Sequence, residues 1–141
     1  MPQPAAKRFC ALSCAAVLAL ALAACGNTVS TSAFKGPQHE VAQAISDLQA
    51  DATAGDEKKL CTRDLAASVV TRLGGKSACE KSLKQQVTEI DNLEVSVNSI
   101  QVAGPASATA KVKSTYSGTK GKETTISLVK EGGRWKLATV S

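Results

Sequence analysis

At Leu93 the hydrophobic period of this chain changes, and that change divides the fold in two. Ahead of it apolar residues recur every three or four positions, as on one face of a helix; after it they recur every second position, as on one face of a strand. Leu93, Val95 and Val97 alternate with Glu94, Ser96 and Asn98. Ile100 and Val102 continue on the other parity, which predicts a bulge near Asn98-Ser99. Gly104-Pro105 marks a turn. Ala106 to Tyr116 alternates again, setting Ala108, Ala110, Val112 and Tyr116 against Thr109, Lys111, Lys113 and Thr115. Ser117 to Gly121 reads as a loop, and Thr124, Ile126 and Leu128 share one face of a third strand. Gly132-Gly133 is a two-residue hairpin connection, and the last strand sets Trp135 and Leu137 against Lys136 and Ala138. Four strands in succession predict an antiparallel meander.

Upstream of Leu93 the signals are helical. Pro37 suits a helix start, Val41, Ile45, Leu48 and Ala52 follow at helical spacing, and Gly55 is the stop. Asp47 and Asp51 fall on the opposite face, which reads as solvated. Asp56 begins a short turn through Leu60. Thr62 is placed to cap a second helix in which Leu65, Val69 and Leu73 share a face, ended by Gly74-Gly75. Ser77-Ala78-Cys79-Glu80 has the form of a capping box and opens a third helix with Cys79, Leu83, Val87 and Ile90 on one side. Three helices followed by four strands predict an α+β fold with the helices packed on the sheet.

The first 24 residues have the layout of an export signal: Lys7 and Arg8, an uncharged run of 16 residues from Phe9 to Ala24, and small residues at its end. A 16-residue helix is about 24 Å long, short of the ~30 Å hydrocarbon core, which weakens the alternative of a permanent transmembrane anchor. Leu22-Ala23-Ala24-Cys25 resembles the lipobox of bacterial lipoproteins. The resemblance implies cleavage between Ala24 and Cys25, diacylglycerol on the Cys25 sulfur with palmitate-type acylation, and attachment to the outer face of the cell membrane. An ordinary secreted protein cut at the same place is the other alternative. The expected organisation is therefore a signal peptide over 1–24, a lipidated N-terminus and flexible tether over 25–36, and one domain over 37–141.

Cleavage leaves 117 residues, and loss of Lys7 and Arg8 lowers the formal net charge from +5 to +3. No block of five or six basic residues exists and aromatics are few, so a nucleic-acid partner is not expected. Besides Cys25, the mature chain holds only Cys61 and Cys79. An isolated pair in an exported domain reads as a disulfide, closing a loop of about 18 residues and contributing roughly 3 kcal/mol. A zinc site would need more ligands than one His and two Cys supply, and a redox pair would usually be Cys-x-x-Cys.

Gly55-Asp56 after the first helix, followed by a long antiparallel sheet, resembles the nuclear-transport-factor-2-like (SnoaL-like, cystatin-like) superfamily. So does the ending Leu128-Val129-Lys130-Glu131-Gly132-Gly133-Arg134-Trp135-Lys136-Leu137, over a likeness that spans Pro37 to Ser141. The resemblance implies a curved, cone-like sheet around the first helix, with a pocket at its open end. Enzymes of the superfamily place an Asp in that pocket, often with a His, Tyr or second acid. Here the single His, His39, sits at the start of the first helix, where an exposed polar residue is expected. Tyr116 and Trp135 are candidates either to line the pocket or to fill the core. Glu94 and Glu123 alternate with apolar residues and should face solvent. No acid stands in an apolar stretch that would mark it as a catalytic base. The expectation is thus a non-enzymatic domain with no cofactor and no metal. It would bind a small apolar or amphipathic ligand, an envelope protein, or a second copy through the sheet face. The alternatives are a pocket enzyme of the isomerase or hydratase kind and a scaffold subunit of an envelope complex.

Overall fold

Helix α1 (Pro37–Ala54) begins at the proline and ends at Gly55, as the spacing predicts. Gly55 is left-handed (φ 66°), a conformation that favours glycine, and its N–H bonds the Ala52 carbonyl while Asp56 N–H bonds that of Asp51. The computed structural model describes residues 29–90 and 92–141; the expected cleavage and lipidation positions, Ala24 and Cys25, lie outside them. The remaining helical elements are α2 (Glu57–Lys59), which runs into a π-helical turn (Leu60–Asp64), α3 (Ala67–Arg72) and α4 (Lys76–Val87).

Strands β1 (Glu94–Val102), β2 (Ser107–Thr115), β3 (Lys122–Glu131) and β4 (Arg134–Val140) pair in sequence order, all antiparallel. The expected α+β architecture is present. The bulge falls at Asn98, between the pairs Val97↔Val112 and Ser99↔Lys111. A second, unforeseen irregularity leaves Ala138 without a partner between Ser127↔Thr139 and Leu128↔Leu137. Gly132 and Gly133 close the β3–β4 hairpin between Glu131 and Arg134, both with positive φ.

One face of the sheet forms the core. Ile100, Ala108, Ala110, Val112, Ile126, Leu128 and Trp135 pack with Val41, Ala42 and Ile45 of α1. The small Ala108 and Ala110 leave room for the helix to lie close over the middle strands. A second cluster of Cys61, Leu65 and Cys79, flanked by Leu48, Val69 and Leu83, sits between the helices. The Cys61–Cys79 disulfide is formed, with Cα atoms 6.1 Å apart. It joins the π turn to α4, whereas the sequence placed Cys61 immediately ahead of a capped helix.

Three local expectations are corrected. Thr62 does not cap a helix: its hydroxyl donates to the Lys58 carbonyl (2.7 Å) within the π turn. Leu65 is extended, and helix α3 starts only at Ala67, because Leu65 bridges to Leu137 and the Ala66 N–H bonds the Leu137 carbonyl (2.8 Å). That contact covers part of the free edge of β4, which a bare strand would expose. The capping box is also absent. Helix α4 starts two residues earlier, with Gly75 in the cap position, so Ser77 lies inside the first turn and Glu80 instead pairs with Lys76 at 4.0 Å. Finally, the described part of the expected flexible tether is packed. Val29 is 4% exposed within the core and Phe34 packs against it, because two apolar side chains gain more from the sheet than from water.

Candidate functional site

Among the described residues two recesses stand out, one beside the strap and one against α1. The larger, about 450 Å³, lies where the strap of residues 29–36 meets β1 and the end of β2. Ala33, Phe34, Val95 and Val97 supply apolar surface, and Ser30, Glu94, Ser96, Lys113 and Thr115 supply polar groups. Its volume falls within the range of small-molecule sites. The strap is held by a Thr31 carbonyl that accepts the Phe34 N–H (3.1 Å) and lies 3.0 Å from His39 Nδ1. His39 itself is exposed, as expected.

The smaller recess, about 270 Å³, lies between α1, the π turn and the β3–β4 hairpin, and is densely charged. Glu40 Oε2 accepts from Lys130 Nζ (2.8 Å) and from Trp135 Nε1 (3.2 Å). The Lys130 bond first, then that of Trp135, holds the Glu40 carboxyl below its ordinary range. Lys130 also stands 5.5 Å from the centre of the Trp135 ring. Trp135 is 6% exposed, so it belongs to the core while also lining this recess. Asp47 lies 3.1 Å from Arg63 and 3.8 Å from Arg134.

Behind the recess the sequence reading fails in an informative way. Asp51, expected on a solvated face, is 7% exposed, and Asp64 is 6% exposed. Arg63 contacts both, at 3.4 Å to Asp51 Oδ2 and 3.3 Å to Asp64 Oδ1, and Lys59 reaches Asp51 Oδ1 at 3.5 Å. The Oδ2 atoms of Asp51 and Asp64 are sealed from solvent and make no well-formed hydrogen bond, Asp51 Oδ2 meeting Arg63 only as an ion pair. Burial, followed by a hydrogen bond with the Asp51 carboxyl, pushes the Asp64 carboxyl up to about 6. Burial works against the Arg63 charge, but its hydrogen bond to Asp64 and the surrounding carboxylates raise its pKa nonetheless. Nothing in the local sequence marks Asp64 as buried. Its position follows from the π turn, which the contact with β4 imposes.

Tyr116 is not inward-facing. It lies one residue beyond β2, is 45% exposed, and lines neither recess. Glu94 and Glu123 are exposed as expected, and Glu123 accepts from Asn98 Nδ2 at 2.9 Å. The open face of the sheet carries exposed Ser96, Thr109, Lys111 and Lys113, so its middle offers no apolar patch. Among the described residues no cluster of His, Cys, Asp or Glu could hold a metal ion, and no helix is long and apolar enough to cross a membrane.

These features define an NTF2-like cone fold: four helices on an open four-stranded antiparallel sheet. A solved structure of a putative calcium/calmodulin-dependent protein kinase II association domain from Xanthomonas campestris is similar to it. The TM-score is 0.54 at 16% identity, over 81% of this chain and 91% of that one. A designed NTF2 protein with five substitutions aligns at a TM-score of 0.48 and 18% identity, over 74% of this chain and 97% of that one. At such identities the likeness extends to the fold alone. No family model and no curated protein matches the chain.

Proposed function

We propose that this chain is an exported lipoprotein whose NTF2-like domain binds a small amphipathic molecule close to the membrane surface and performs no chemistry on it. The observation that carries the binding half is the 450 Å³ groove between the strap and β1, which sets the apolar Phe34, Val95 and Val97 beside the exposed Ser30 of the strap. An amphipathic ligand would place its apolar part on these three side chains and its polar end at the exposed rim beside Ser30. At the centre of the sheet's inner face Val41, Ile45, Ile126 and Leu128 are buried against one another as core. The anchor half rests on Leu22-Ala23-Ala24-Cys25 and the charged, then apolar, segment ahead of it.

The enzyme alternative has one observation in its favour: Asp64, with a pKa near 6, borders the smaller recess. Asp64 Oδ1 is taken by Arg63 and Oδ2 is sealed from solvent, which leaves neither oxygen open to a substrate proton and favours the binding reading. Two experiments test the proposal. Mass spectrometry of the membrane-extracted protein should find an N-terminus at Cys25 carrying diacylglycerol, and Cys25→Ala should abolish acyl labelling; persistent labelling would overturn the anchor. A fluorescent amphipathic probe such as anilinonaphthalene sulfonate should bind the protein, and Val97→Lys should weaken it about tenfold or more, as expected when a charge enters an apolar wall. Equal affinity would refute the groove.

A further inference from the structure

We infer that the end of the domain formed by the β2–β3 loop and the strap is a docking face for an anionic phospholipid bilayer. The inference deepens the lipoprotein reading and rests on it for the position of the membrane. Ser30, Ala33 and Phe34 share the groove with Lys113 and Thr115, so the chain enters the domain beside the end of β2. Cys25 is five residues before Ser30, and five residues span at most about 18 Å. The lipid therefore holds this end of the domain nearest the bilayer.

The surface there has the chemistry for that neighbour. Residues 116–122 read Tyr-Ser-Gly-Thr-Lys-Gly-Lys, with Lys120 and Lys122 exposed and no acid. Lys113 adds a third charge, its stem lying against Gly121, where an added Cβ would overlap it. Lys35 of the strap is a fourth, also exposed. The nearby acids are Glu94, opposite Thr115, and Glu123, opposite Lys113 and engaged by Asn98. Tyr116 leads the loop with an exposed ring, of the kind that settles at headgroup level. The loop is shaped by its own bonds: Thr119 N–H donates to the Tyr116 carbonyl (2.9 Å), and Tyr116 N–H donates to the Thr119 hydroxyl (3.3 Å). Lysines near an anionic surface attract it, and a basic patch fixes orientation where the acyl chains supply only attachment.

Amide hydrogen exchange on the natural lipidated protein, in vesicles of phosphatidylcholine alone or with 30% phosphatidylglycerol (about 30 mol%, a strongly anionic surface), tests this. Exchange across residues 116–122 should slow about thirtyfold on the anionic vesicles, corresponding to about 1 kcal/mol for each of Lys120 and Lys122. The double variant Lys120→Glu with Lys122→Glu should lose that protection. Lys76→Glu with Lys81→Glu, the same charge change on α4, should keep it. Equal exchange on both vesicles, or equal loss in the α4 variant, overturns the assignment. Acyl labelling of Cys25 reads the anchor separately. An unlabelled chain that still shows the protection retains the docking face, and a labelled chain without protection refutes it.

Discussion

Asp64 shows how one carboxyl can make stability depend on pH. Its folded pKa is raised from 3.8 to about 6, so the folded chain holds a proton that the unfolded chain has released. The associated stabilisation is complete below about pH 4 and is lost as pH rises through about 6. A shift of this size corresponds to roughly 2–3 kcal/mol. The melting temperature should therefore fall as pH rises from about 4 to 6.5, and Asp64→Asn should flatten that slope. An unchanged slope in the variant would remove Asp64 as its source. Asp47 and Asp51 repeat at helical spacing and looked alike in the sequence, yet one borders a recess and the other is buried. Their difference is set by Arg63 and Asp64, 12 or more residues away along the chain, which no local pattern reports.

At the level of elements, the strands were the more legible half. Alternation located all four, and the parity change at Asn98 located the β1 bulge, because a side-chain period of two leaves an extra residue nowhere to hide. Helix α1 was equally clear, since Pro37 and Gly55 bracket one continuous apolar stripe. The segment after it was misread. Leu65, Val69 and Leu73 do have helical spacing, but Leu65 and Ala66 are drawn out to the β4 edge, and the helix is cut to Ala67–Arg72. The disulfide matters most here, since it pins a π turn and two short helices with little core of their own. Replacing Cys61 and Cys79 by Ala should cost about 3 kcal/mol in chemical denaturation, while thiol titration of the unreduced domain should detect neither cysteine.

For the whole molecule, the strap is the unexpected component. Composition alone presented residues 26–36 as a soft spacer, small and polar. The folded sheet offers Val29 and Phe34 an apolar seat, and taking it brings the strap up as one wall of the groove. Val29→Asp should detach the strap without unfolding the sheet, raising tryptic cleavage at Lys35 about tenfold or more through local opening. Cleavage at the parent rate would mean that the strap does not depend on Val29.

Periodicity, turn glycines and cysteine count were enough to determine an α+β chain with a four-stranded meander and one disulfide, because each is written in neighbouring residues or in their number. The carboxyl pair of Asp51 and Asp64, the extended Leu65-Ala66 link and the seated strap were decided only in three dimensions. Each depends on what a residue meets from a distant part of the chain: a second carboxyl, a free strand edge, an uncovered apolar surface. Local spacing describes which face a side chain takes, and only the assembled fold determines what that face encounters.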